Sequence, residues 1–459
     1  MSKPLRKLVP RSTRVRVAIA GALVVLVVAA LIAGHTYEHD RTGSIYHPHA
    51  RFVPQPTPTL PVSGAGHFAW PLYGYDQDHT RFFPAPSYVH APFKRLWVHV
   101  GHALLEFPPV IYGQHIYQLS DSAVLNVFDK RTGHLIWFRP LGKVSASAPA
   151  VTGNTVYVTI LYSGHPHSPG RVVALNSANG KVRWWRALPS GSESSPMLAH
   201  GDVFFGSQNG TVYALNDRNG DRVWTYKAHA AVKASPTLAG GILYFGDYSG
   251  RLQAISERTG GRIWVSQSEG ALLGSGTFYS TAAVVYGRVF LGNTDGRIYA
   301  YDASTGKLDW AVQTGAYVYS SPAVTNAPGL GPTIYLGSYN GTFYAINARS
   351  GHIDWRFKAH GRISGSATIV GRIVYFADLG THRTYGLGIS TGRVTFEFNS
   401  GSFDPVISDG SDIYLTGYSS LFGLQPTDLP APTKAKAKAQ PKPKAQRTAK
   451  RPASKKHQS

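Results

Sequence analysis

A glycine followed four residues later by an aromatic recurs seven times in this chain. The pairs are Gly133/Trp137, Gly180/Trp184, Gly220/Trp224, Gly260/Trp264, Gly306/Trp310, Gly351/Trp355 and Gly392/Phe396, with glycine spacings of 47, 40, 40, 46, 45 and 41 residues. Four residues before the glycine stands Asp129, Asn176, Asn216, Ser256, Asp302, Asn347 or, once, Gly388. Six before it stands alanine in five copies: Ala174, Ala214, Ala254, Ala300 and Ala345. Chance does not hold four positions in phase through seven copies. A period of this length means an array of one supersecondary unit, none of which buries its hydrophobic face alone.

The unit reads as four short strands. In "DVFFGSQNGTVYALNDRNGDRVW" and "RVFLGNTDGRIYAYDASTGKLDW" an apolar, aromatic run is followed by Asn209-Gly210 or Asp295-Gly296. These pairs, like Asn340-Gly341, supply the positive φ of a tight hairpin. The next strand carries the alanine, placed where a neighbouring sheet approaches closely. The Asp, Asn or Ser after it folds its side chain onto the backbone two residues on, and the glycine closes that turn. The last strand ends on tryptophan, an apolar body that fills the space between sheets. Ser195-Pro196, Ser235-Pro236 and Ser321-Pro322 suit strand starts, where no ladder donor is needed.

Four-stranded antiparallel units of 40–47 residues close best into a ring with short edges. The expectation is an all-β, eight-bladed β-propeller over residues 70–429; solenoid repeats are usually shorter. "FDPVISDGSDIYLTGYSSLFGL" (Phe403–Leu424) offers three strands for the last blade, and "FKRLWVHV" (Phe93–Val100) offers the fourth.

The net charge of +22 is misleading. Sixteen of the 46 Lys and Arg stand at the two ends, so the body is close to neutral. Residues 1–16 are basic and read as a short cytoplasmic segment. Residues 17–34, "VAIAGALVVLVVAALIAG", carry no charge and are long enough to span a bilayer core as a helix. The basic flank sets the N-terminus inside and the propeller outside the plasma membrane. A cleaved secretory signal is the alternative. Residues 35–69 are Pro- and His-rich and read as an extended extracytoplasmic stalk. Residues 430–459 are Lys/Ala/Pro-rich and too poor in apolar residues to fold. Their basic groups, Lys434, Lys436, Lys438, Lys442, Lys444, Arg447, Lys450, Arg451, Lys455 and Lys456, are candidate polyanion contacts. Outside the cell that means an anionic wall polymer or lipid headgroups rather than nucleic acid. The absence of cysteine excludes disulfides, thiolate metal sites, a Cys nucleophile and a lipid-modified N-terminal Cys.

"VYALNDRNGDRVW", "IYAYDASTGKLDW" and "FYAINARSGHIDW" resemble the pyrroloquinoline-quinone-type repeat, and "WPLYGYDQDHTRFFP" (Trp70–Pro84) is similar to the entry segment of that family. The resemblance implies the propeller fold. It leaves the function open, because the family holds quinoprotein dehydrogenases, an outer-membrane assembly lipoprotein and extracytoplasmic sensors. A quinoprotein would imply a quinone on the axis, a calcium ion held by carboxylates and amides, a catalytic Asp and, in many members, adjacent cysteines. No such ligand set can be assembled from this sequence. His47/His49 and His165/His167 offer two ligands each where a metal site needs three or four. Asp76 and Asp78 read as capping or salt-bridging groups. No nucleotide-binding loop, nucleophile elbow or zinc-protease motif occurs. The expectation is therefore a membrane-anchored, non-catalytic binding or scaffold propeller of the cell envelope, without cofactor, whose partner is an envelope protein, a glycan or an anionic wall polymer. The alternatives are a quinone- and calcium-dependent dehydrogenase and a ligand-sensing ectodomain working with a partner.

Overall fold

The computed structural model describes residues 44–47, 52–55, 69–167, 169–270, 276–403 and 406–428. Four strands precede the first repeat: β1 (Ile45–Tyr46), β2 (Ala69–Trp70), β3 (Phe82–Phe83) and β4 (Phe93–Val100). The rest form eight four-stranded antiparallel meanders, each running from an innermost strand a to an outermost strand d. Blade 1 begins at Val110 and blade 7 ends at Phe398. Blade 8 takes strands a to c from Val406–Ser408, Ile413–Thr416 and Ser420–Pro426, and takes β4 as its strand d. The eight-bladed propeller and its closure by both chain ends are thus as the repeat implied.

Each repeat position has one mechanical task. Asp129, Asn176, Asn216, Asp302 and Asn347 accept hydrogen bonds from the backbone N–H two residues on, at 2.9–3.1 Å. The glycine that follows adopts φ of +65° to +76° in all seven copies. It is also pressed against the preceding blade: a Cβ on Gly220 would lie 2.5 Å from the Trp184 ring, and one on Gly180 would lie 2.8 Å from Trp137. The indole then donates to a carbonyl of that same turn. Trp137 reaches Ser177 O (3.2 Å), Trp184 Asp217 O (2.9 Å), Trp224 Glu257 O (2.8 Å), Trp264 Ala303 O (3.0 Å), Trp310 Ala348 O (3.2 Å) and Trp355 Ile389 O (3.0 Å). The alanine lies directly across the ladder from its own blade's tryptophan (Ala214↔Trp224, Ala300↔Trp310). Its small side chain is what leaves room for the indole to lean onto the next turn.

An innermost strand has an unpaired edge toward the ring axis, and such edges need partners. Residues 69–83 supply them. β2 pairs with strand a of blade 1, and β3 pairs in parallel with strand a of blade 7. Between them the segment winds inside the ring. Pro71 O accepts from Val151 N–H, Gln77 O from Leu238, Asp78 O from Val284, Thr80 O from Val324 and Arg81 O from Ile369, at 2.8–3.0 Å. The Gln77 side chain donates to Leu198 O of blade 3 (3.0 Å). The entry segment is a plug that stitches blades 1–7 from the inside. Its path is irregular: Gly74, Tyr75, His79 and Arg81 all have positive φ.

The described parts of residues 35–69 do not stand clear of the ring as a stalk would. β1 adds a fifth strand outside blade 5 (Ile45↔Ala311, Tyr46↔Trp310). Phe52 stacks on Tyr286 at 5.1 Å, and the guanidinium groups of Arg288 and Arg349 lie 5.3 and 4.7 Å from its ring centre. A composition count cannot see this docking, because the apolar anchors Ile45, Tyr46 and Phe52 are sparse among prolines and histidines. The basic segment 1–16, the helix at 17–34 and the tail lie outside the described residues, the tail's ten basic groups included. No helix among the described residues is long and apolar enough to cross a membrane.

Candidate functional site

A meander in a ring sends its a–b and c–d turns to one face and its b–c turns and d–a connections to the other. The plug enters from the first, here the lower face. Above it the axis is lined by the residues that open each strand a. Ser195, Ser235, Thr281, Ser321 and Ser366 stand there in phase, two residues before strand a in blades 3 to 7. They bond from blade to blade: Ala148 N–H to Ser195 Oγ (2.9 Å), Ser235 N–H to Thr281 Oγ1 (3.1 Å), Thr281 N–H to Ser321 Oγ (3.0 Å) and Ser321 N–H to Ser366 Oγ (3.1 Å). Ser235 Oγ–H donates to Ser195 O (2.8 Å), and Tyr73 of the plug joins Ser366 (3.0 Å). The Ser-Pro pairs are therefore a hydroxyl belt as well as strand starts.

The belt surrounds a cavity of about 40 Å3, little more than one water's share of liquid volume. Glu106 and Glu193 also line it. Glu193 is held by Lys233 (2.9 Å) and Gln208 (2.7 Å). Burial, and then the Glu106 and Glu193 charges, push the Tyr279 phenol well above its ordinary value. It stays a neutral donor.

Around the mouth of this cavity the upper face carries five tyrosines drawn from three blades: Tyr248 and Tyr339 from b–c turns, and Tyr279, Tyr317 and Tyr319 from d–a connections. Tyr279 and Tyr319 meet at 5.7 Å and 90°, Tyr319 and Tyr339 at 5.1 Å and 72°, and Tyr317 and Tyr319 at 5.8 Å and 73°. Tyr248 lies 6.3 Å from Tyr279. Lys233 sits over Tyr248 (4.7 Å) and Arg362 over Tyr339 (5.5 Å), closing the row at both ends with cation–π contacts. Tyr317 is 52 % exposed. No sequence spacing announces this cluster, since its members come from different blades.

The other sequence candidates fall elsewhere. Asp76 caps the plug by accepting from Thr80 N–H (2.7 Å) and the Thr80 hydroxyl. Burial pushes Asp76 up to about 7, against those hydrogen bonds, and Asp78 up to about 6. His165 and His167 are exposed in the b–c connection of blade 2, and His47 is exposed beside blade 5; His49 lies outside the described residues. No group of three His, Cys, Asp or Glu converges on a metal position among the described residues. Asp302 is a turn residue, as its place in the repeat implied, bonded to Ser304 and Thr305.

A tricarboxylate quinone on the axis would need several hundred Å3 of pocket, typically about 300–1,000 Å3, and free cations for its carboxylates. The axial cavity is far smaller, and its Lys233 is already matched by Glu193. The described residues do not fit the quinone and its calcium.

Comparison with known proteins separates fold from function. The fold resembles BamB from Moraxella catarrhalis (TM-score 0.58, 18 % identity, 72 % of this chain and 99 % of that one). It equally resembles a europium-containing methanol dehydrogenase (TM-score 0.65, 13 % identity, 78 % and 98 %). Identities this low speak for the fold alone. A tetrathionate hydrolase of Acidithiobacillus ferrooxidans is 29 % identical over 117 residues, 21 % of this chain and 23 % of the relative, so the chain spans under a quarter of that protein. The family model described as outer membrane protein assembly factor BamB matches residues 120–271 and 248–419, more than half of the chain. With its Gly/Trp turns, its plug and eight blades of the pyrroloquinoline-quinone-type repeat, the chain belongs to that family.

Proposed function

We propose that this propeller is a non-catalytic binding or scaffold protein of the cell envelope, and that it holds its partner on the upper face. The carrying observation is the tyrosine row at the mouth of an axis that is plugged from below and narrowed to about 40 Å3 above. Tyrosine supplies contact area and a polar tip at low entropic cost, which is why it is enriched at interfaces. Membership in a family named for an assembly factor supports the same reading. In this reading residues 17–34 anchor the chain in the plasma membrane, the propeller stands outside the cell, and the basic tail is a second, polyanion-binding contact.

A photo-crosslinking side chain at Tyr317 tests the face, with one at Lys307 on the lower rim as control. A discrete envelope-protein adduct from Tyr317, absent from Lys307 and lost with Tyr319→Ala, is the expected result. Equal labelling from both positions would remove the upper face from the account. The rival chemistry has its own test. The full chain incubated with pyrroloquinoline quinone and calcium should show no bound-cofactor spectrum and no dye-linked alcohol oxidation. Either signal would replace binding by catalysis.

A further inference from the structure

We infer that a cleft on the lower face binds an aliphatic carboxylate, a ligand of the fatty-acid class. The inference goes beyond the upper-face reading and does not depend on it. β3 leaves the plug beside strand a of blade 7, and the chain then crosses the lower face from Pro84 to Pro92 on its way to β4. Between this crossing segment and the turns of blades 6 and 7 lies a cleft of about 410 Å3. That is about ten times the axial cavity and falls in the usual range for a small-molecule site, about 300–1,000 Å3.

The first argument is the wall. Pro84, Pro86 and Val89 come from the crossing segment, Pro328 from blade 6, and Ile373 and Ile389 from blade 7. The frame is held by backbone bonds of its own. Gly371 N–H donates to Phe83 O (2.8 Å), and Ile389 O accepts from the Tyr335 hydroxyl (3.0 Å) and the Trp355 indole (3.0 Å). Phe82 is the one benzene ring among the described lining residues, and it is 6 % exposed. No broad ring face is offered for stacking, so the body that fits is aliphatic.

The second argument is charge. No acid stands among the described lining residues, and Arg372, which is exposed, does. Its backbone O accepts from Ile389 N–H (3.1 Å), but its guanidinium makes no ion pair or hydrogen bond among the described residues. His90 also lines the cleft, and its Nδ1–H is spent on Ala91 O (2.6 Å). The place of Arg372 in the repeat is telling. The two-residue a–b turns of blades 1 to 5 carry Gln114, Asn154, Gly201, Gly241 and Gly287 at the same position. Of these turns only that of blade 7, beside the cleft, carries a charge there. The planar fork of a guanidinium matches the two oxygens of a carboxylate. An apolar wall with one uncompensated cation at its edge fits a ligand with one aliphatic body and one anionic head.

The test is a calorimetric titration of the full chain with decanoate, kept below the concentration at which it self-associates. Decanol, decylamine and phenylbutyrate are titrated beside it. Saturable binding of decanoate is expected, with decanol weaker by about tenfold, the usual weight of a charge-assisted contact, and decylamine weaker still. Arg372→Gln should weaken decanoate by about the same tenfold and leave decanol unchanged. Ser87→Trp, at an exposed position of the lining, should fill the cleft and abolish binding of both. Melting temperatures show whether each variant is folded. No saturable decanoate binding by the folded wild type, decanol as tight as decanoate, or the same affinity in folded Arg372→Gln overturns the inference. Preference for phenylbutyrate overturns it in favour of an aromatic acid.

Discussion

Blade 8 is flanked by two seams that are built differently. On one side Trp97 of β4 leans on Gly133 of blade 1 and donates to Lys130 O (3.0 Å). His99 packs on Phe128 at 4.5 Å, and Lys130 Nζ reaches Asp409 Oδ2 at 2.7 Å across the seam. On the other side blade 7 offers Phe396, which meets Phe93 at 5.4 Å and 85°, while Phe398 meets Phe422 at 5.1 Å. No indole is there. The reason lies in the chain path. Strands c and d of blade 8 come from opposite ends of the propeller, Pro426 and Phe93. There is no c–d turn between them, hence no turn glycine to press on and no turn carbonyl to receive an N–H. An indole at position 396 would carry a donor with nothing to meet. The seam that closes the ring thus keeps the full apparatus, and the neighbouring seam, deprived of its turn, packs phenylalanine rings where the others have an indole hydrogen bond.

The largest expected effect is at the closing seam. Trp97→Ala should cost about 3–5 kcal/mol, the usual range for emptying a buried tryptophan site. Phe396→Ala, at a half-buried site, should cost about half that. Denaturant titrations compare them; equal losses would mean that the two seams bear the ring equally. Next comes the ion pair. Lys130→Met leaves the Asp409 carboxylate, 3 % exposed, without its cation and should cost about 3 kcal/mol at pH 7. Burial raises the Asp409 pKa, but Lys130 and the backbone N–H groups of Asp412 and Ser411 outweigh it and hold it below its ordinary value. The contribution is therefore complete above the unfolded carboxylate value of about 3.9 and fades as pH falls through the lower folded one. Melting curves of wild type and Lys130→Met should differ at pH 7 and converge below pH ~3. A gap that persists in acid would show that Lys130 acts by packing alone.

Smaller still is the exchange of the two aromatic types. Trp184→Phe removes the N–H that meets Asp217 O at 2.9 Å and should cost about 1 kcal/mol. Phe396→Trp should return nothing, or destabilise, because blade 8 has no carbonyl waiting. A gain in stability from Phe396→Trp would break the explanation given for the missing indole.

The sequence carried the ring because the repeat is local. Asp302, Gly306 and Trp310 stand within nine residues, and each does in the structure what its type and spacing imply. The closing strand was legible for the same reason, since Trp97 is the only unassigned partner for an incomplete last blade. What was not legible is what the ring itself creates. The plug follows no periodicity, as its hydrogen bonds go to strands up to some 290 residues away, Arg81 O to Ile369 N–H among them. Ser195, Ser235 and Ser321 could be read as strand starts, yet their bonds run to the next blade around the axis. The tyrosine row has the same origin: Tyr248, Tyr279, Tyr319 and Tyr339 become neighbours only when three blades stand side by side.

The smallest effect sharpens the other end of the comparison, the ordinary turn against the seam. Asp302, like Asp129 in the first blade, is an acid at the turn position of the repeat and invites a catalytic reading. Its Oδ1 accepts from the backbone N–H groups of Ser304 (3.0 Å) and Thr305 (2.8 Å) and from both hydroxyls. Asn347 does the same for Arg349 (3.1 Å) and Ser350 (3.0 Å) one blade on, and Asn176 and Asn216 hold their turns likewise. An amide oxygen suffices for the geometry; the charge adds only what an exposed turn can use. Those hydrogen bonds outweigh a desolvation push and leave the Asp302 carboxyl below its ordinary value, so Asn should forfeit a small charge-assisted increment and no more. Asp302→Asn should change stability by less than about 0.5 kcal/mol and leave partner capture at Tyr317 unaltered. A folded Asp302→Asn protein that had lost its partner would mean that the lower rim, not the tyrosine row, is where this propeller works.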